Sequence, residues 1–85
     1  MAYKVEFSSA AAKAIEDLPN TISQRLVKKA QALGQNPFPR GSKKLQGEEE
    51  QWRIRVGDYR IVYQVDGDQA VVLVVRAGHR RDIYR

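Results

Sequence analysis

Residues 3–7 read YKVEF, apolar and polar in alternation, which predicts a short strand with one buried face. Ser8 and Ser9 then offer N-caps to a helix through AAAKAIEDL. Pro19 and Asn20 end that helix and begin another, with Asn20 or Thr21 as its cap. Ile22, Leu26, Ala30 and Leu33 recur at spacings of four, four and three, which makes one apolar stripe along the second helix. Gly34 stands at the place of a C-terminal cap and Pro37 blocks continuation. The pattern predicts an antiparallel helical hairpin lying on a sheet.

Residues 36–50 form a polar connection with Pro37, Pro39, Gly41 and Gly47, and they carry the acidic run Glu48, Glu49, Glu50. From Trp52 the composition turns β-branched and aromatic. Strands are predicted over 52–56, 59–65 and 71–76, with turn signals at Gly57, Asp58 and at Asp66, Gly67. Residues 71–75 are apolar without interruption, as expected of a central strand covered on both faces. The order is β-α-α-β-β-β, an α+β domain whose sheet is mainly antiparallel and ends in a meander. With 85 residues the chain is expected to form one domain over 1–85 around one modest core.

The first hairpin of the meander carries the chemistry. If Gly57 and Asp58 form the turn, Val56 faces Tyr59 and Arg55 faces Arg60. Alternation then puts Trp52, Ile54, Val56, Tyr59, Ile61 and Tyr63 on one side and Arg53, Arg55 and Arg60 on the other. Arginines directly opposite each other repel, at a cost of roughly 0.2–1 kcal/mol. Two such residues held together imply an anion that relieves them, and the planar fork of arginine suits phosphate. A solvated polar face is the plainer reading, and an acidic protein partner could use the same charges.

Charge supports an anionic partner. The formal net charge is +5 at pH 7 and the isoelectric point about 9.8, a balance that suits nucleic acid or an acidic protein. Lys43 and Lys44 in the connection, and Arg81 in the basic tail, are candidate RNA contacts beside Arg53. The tail also holds His79 and Arg80 and continues to Tyr84. The ordinary pKa of a histidine lies near neutrality, and a phenol can stack on a base or accept a proton once its pKa is lowered. The chain has no cysteine and one histidine. Disulfides, a thiol nucleophile and an ordinary zinc site are therefore excluded, and a reducing, cytoplasmic setting is expected. No run of eighteen apolar residues is present, residues 1–7 lack the layout of a signal peptide, and no cofactor or membrane partner is expected.

GDYRIVYQV at 57–65 and VVLVVRAGHRRDIY at 71–84, with KKLQG at 43–47, resemble the RelE/ParE superfamily of toxins from toxin–antitoxin operons. The likeness runs from the opening strand to the basic tail, and the tail, reaching a tyrosine, is similar to RelE-type members. That resemblance implies a metal-independent endoribonuclease that cuts mRNA on the ribosome, held in check by a RelB-like antitoxin. It also implies roles: Arg60 and Arg80 stabilise phosphate charge, and Tyr84 stacks and transfers a proton. Arg53 and Arg55 stand where RelE-type members often carry lysines. Since arginine does not deprotonate, neither can be a general base, and that role is left to Tyr84, His79 or a ribosomal group. The ParE-type alternative is a non-enzymatic inhibitor of DNA gyrase that uses the basic face for docking. A third reading is an inactive binding module.

Overall fold

The structure is a computed structural model that describes residues 2–45, 47 and 50–79. Its elements run β1 (Lys4–Phe7), α1 (Ser9–Glu16), α2 (Asn20–Ala32), β2 (Lys43–Lys44), β3 (Gln51–Val56), β4 (Tyr59–Asp66) and β5 (Val71–His79). The five strands form one sheet in the order β1-β5-β4-β3-β2. The β1–β5 pair is parallel and the other three pairs are antiparallel. No helix among the described residues is long and apolar enough to cross a membrane.

Ser8 starts α1 as expected: the Ala11 N–H donates to its Oγ at 3.0 Å, which satisfies one of the first-turn donors. The same hydroxyl donates to the Val75 carbonyl at 3.1 Å, so the cap also ties the helix to β5. The second helix differs from expectation. Asn20 is its first residue, and the cap position belongs to Pro19, which offers no side-chain bond. Its carbonyl accepts from the Ile22 and Ser23 N–H groups, each at 2.9 Å. Leu26, Ala30 and Leu33 are buried along the anticipated stripe and Ile22 packs against them.

Gly34 follows the helix as the sequence suggests, but for another reason. A Cβ there would lie 2.8 Å from the Tyr3 carbonyl oxygen and 3.0 Å from Val5 Cγ2. The Gly34 carbonyl in turn accepts from the Tyr3 N–H at 2.6 Å. Close approach of β1 to the end of α2, rather than a left-handed backbone, requires glycine.

The described part of the polar connection, residues 36–45, is more ordered than its composition implies. Lys43 and Lys44 pair with Arg53 and Trp52 as an edge strand. Pro37 is buried, and its carbonyl accepts from the Tyr63 hydroxyl at 2.6 Å. Burial raises the Tyr63 pKa, and a hydrogen bond with Ser42 partly offsets the rise. Phe38, exposed, meets Trp52 with ring centroids 4.7 Å apart.

The first hairpin has the anticipated register, with Val56 opposite Tyr59 and Arg55 opposite Arg60. Gly57 takes a left-handed φ of 62° in its turn. The second hairpin is wider: β4 ends at Asp66 and β5 starts at Val71, so the loop spans 67–70. Asp66 Oδ1 accepts from the N–H groups of Asp68 (3.0 Å) and Gln69 (3.1 Å), and the left-handed residue is Ala70, φ 53°. Both helices bury their apolar sides on one sheet face, together with Ile54, Ile61, Tyr63, Val72, Val74 and Ala77. On the other face Val71 and Leu73 are half-buried, so β5 is central but has a helix layer on one side, not two.

Candidate functional site

The open face of the sheet is set by which residues pair across strands, because directly opposed residues share a face. One row holds Arg55, Arg60 and Gly78. The next holds Lys43, Arg53, Val62 and Arg76. Neighbouring strands lie about 4.8 Å apart, and residues two apart on a strand about 6.7 Å, so five cationic side chains share a small area. Lys43, Arg55 and Arg76 are exposed; Arg53 and Arg60 are half-buried.

Val62 is the exception in polarity. It is 2% exposed although neither of the described helices covers this face. It lies between Arg53 and Arg76 in its row, where long aliphatic stems can lie over it while their charged heads reach water. Arg60 makes contacts within the protein, yet its Nε is buried with no hydrogen-bond acceptor among the described residues. Gly78, opposite Arg60, has open space where a Cβ would go, which leaves room beside the guanidinium.

The sheet register brings Arg53, Arg55 and Arg60 together as the sequence indicates, and it adds Lys43 from the connection. It places two other candidates elsewhere. Lys44 pairs with Trp52 and so belongs to the helix side, where its Nζ is 3.8 Å from Glu50 in an exposed ion pair. His79 pairs with Tyr59, also on the helix side, with the two rings edge to face at 5.4 Å. Arg80, Arg81 and Tyr84 lie outside the described residues.

Arg76 is the cation that sequence reasoning missed. Strict alternation from Val74, which faces the core, would turn Arg76 inward as well. A bulge between Val62 and Tyr63 lets the pairing pass from Tyr63–Val74 to Val62–Arg76, which leaves Val75 as the extra residue. Arg76 therefore turns out and Ala77 turns in. Bulge positions have no reliable sequence signal; the small apolar Ala77 before Gly78 is the one hint.

A family model described as the ParE toxin of the type II toxin–antitoxin system, parDE, matches residues 5–84. Toxin RelG of Mycobacterium tuberculosis is 31% identical over 86 residues, which span 100% of this chain and 99% of that protein. The mRNA interferase toxin RelE of Escherichia coli is 33% identical over 82 residues, covering 94% of this chain and 85% of the relative. Among solved structures, the toxin–antitoxin complex RelBE2 from Mycobacterium tuberculosis contains a chain that superposes with a TM-score of 0.83. It is 30% identical, and the match covers 94% of this chain and 100% of that one.

Proposed function

The chain belongs to the RelE/ParE toxins of type II toxin–antitoxin systems, and on that premise we propose that it is a metal-independent endoribonuclease that cuts messenger RNA, on the ribosome. The single observation that carries this reading is the directly opposed Arg55–Arg60 pair on the open sheet face. Arginines at directly opposed strand positions repel, an anion between them relieves that repulsion, and a phosphodiester offers the paired oxygens their forks fit.

The reaction is an internal transfer. The 2′-oxygen of the substrate bonds to the adjacent phosphorus while the bond to the 5′-oxygen breaks. The upstream fragment keeps a 2′,3′-cyclic phosphate, and the downstream fragment leaves with a 5′-hydroxyl. DNA lacks the attacking group, so selectivity for RNA lies in the chemistry. Arg55, Arg60 and Arg80 hold the phosphate and neutralise the charge that grows on it, with Arg53 assisting; this is catalysis by charge placed in advance. Tyr84, as its phenolate, takes the proton of the 2′-hydroxyl while the leaving 5′-oxygen takes up a proton from water; such proton transfer is typically worth about 10²–10⁴-fold. His79, turned to Tyr59 on the other side of the sheet, is the weaker candidate for that step. The partner in this reading is a RelB-like antitoxin whose acidic and amphipathic segments cover the basic face.

Primer extension on a defined messenger, with and without programmed ribosomes, tests this. Cuts that need the ribosome and vanish in a folded Arg60→Ala variant are the expected result. A growth-inhibiting protein that makes no cuts would overturn it. The ParE name of the matching model favours a second reading, docking on DNA gyrase, and a supercoiling assay with purified gyrase separates the two.

A further inference from the structure

We infer that the second row of the open face, with Arg76 at one end and Arg53 and Lys43 at the other, is a binding subsite for the phosphodiester next to the one being cut. The inference rests on the RNA-cutting reading and extends it: nothing in the reaction itself needs Arg76, which lies a full row away from the Arg55–Arg60 pair.

The geometry supports it in three steps. First, Arg76 shares the face with the reacting row because of the bulge at Val75; a regular strand would bury it. A bulge weakens a central strand pair, and this one is held in place by Ser8, whose N–H donates to the Val74 carbonyl at 2.8 Å and whose hydroxyl donates to the Val75 carbonyl. Second, the two rows are about 6.7 Å apart, comparable to the separation of successive phosphates along an extended single strand. An RNA that sets one phosphate between Arg55 and Arg60 brings a neighbouring one over Val62. Third, Val62 is apolar and sealed, so the centre of that second row offers no hydrogen bond. An anion there is met from the sides, by Arg53 and Arg76, whose side chains are long enough to close over it. The first row thus reacts, Arg76 fixes position along the strand, and Arg53, between the two phosphates, serves both.

The test compares wild type, Arg76→Met and Arg76→Lys in steady-state cutting of a synthetic messenger, on programmed ribosomes and free. Methionine keeps an unbranched apolar stem over Val62 and removes the charge. Arg76→Met should raise KM about tenfold, the usual worth of a charged hydrogen bond, with kcat within about twofold of wild type. The slope of log(kcat/KM) against log salt should flatten by about 0.7, one single-strand phosphate contact. Arg76→Lys should restore most of that slope. A messenger with a neutral methylphosphonate at one of the two linkages flanking the cut should cost wild type the same tenfold and cost Arg76→Met little more, since residue and phosphate are then one contact.

Independent, multiplying losses at both linkages, or an unchanged salt slope in Arg76→Met, would overturn the subsite while leaving the RNA-cutting reading intact. If wild type cuts neither messenger, the RNA-cutting reading itself fails, and the subsite with it. Arg76→Met should also melt within a few degrees of wild type; a large drop would make the side chain structural and count against a binding role.

Discussion

A guanidinium keeps its proton at any pH a cell meets, so Arg53, Arg55 and Arg60 can gather and neutralise negative charge but cannot take up a proton. That division of labour was legible in the sequence, because it follows from residue type and from a two-residue turn whose register the apolar face enforces. Tyr63 was legible as a core residue but not as a tether. Its hydroxyl reaches Pro37, in a segment whose composition says loop. Tyr63→Phe should lower stability by about 1–2 kcal/mol by leaving a buried carbonyl unsatisfied, read by urea denaturation. The tyrosine should also weigh on stability at alkaline pH. Its folded pKa is raised, so folding favours the neutral phenol. That contribution is whole below the ordinary value of about 10 and is lost as pH climbs through the raised folded value. Wild type should therefore lose stability above pH about 10 more steeply than Tyr63→Phe; parallel curves would show that Tyr63 does not contribute there.

Elements were readable where periodicity was clean and hidden where a single residue broke it. The helices, the meander and the order of elements follow from stripes, caps and alternation. Edge strand β2 is two lysines long, below what any pattern can flag, and its pairing to β3 divides Lys43 from Lys44. The bulge in β5 divides Arg76 from the interior in the same way: parity decides which face a side chain reaches, and one extra residue reverses parity. Ser8 is where helix and bulge meet. Ser8→Ala removes a helix cap and a donor to the Val75 carbonyl together. We expect a loss of about 1–2 kcal/mol in thermal or urea unfolding, and a KM for RNA that rises as Arg76 loses its fixed place. A destabilised variant with unchanged KM would mean that the bulge holds without the clasp.

Across the whole molecule the open sheet face is polarised. Lys43, Arg53, Arg55, Arg60 and Arg76 occupy the end near the Gly57 turn; Glu6, Gln64 and Asp66 occupy the other, with Lys4 as one cation beside them. A net charge of +5 states that the molecule is basic, but not that the charge is sorted by position. An RNA strand should therefore approach from the arginine end. Reversing charge there, as in Arg53→Glu, should cut kcat/KM by more than about tenfold, because an attractive contact becomes a repulsive one. The reversal Asp66→Lys at the far end should change it by less than about twofold. Equal effects would mean that overall charge matters and its placement does not.

The strand order has a consequence in time. β1 leaves the ribosome first, yet its one neighbour in the sheet is β5, 67 positions later (Lys4 beside Val71), and β5 is also the strand that joins β1 to the meander. Pairings so far apart in the chain close late. A nascent copy emerging from the exit tunnel therefore holds its helices and first hairpin beside an unfinished sheet, with Arg76 not yet on any face. The basic face is therefore assembled only after β5 is free of the tunnel.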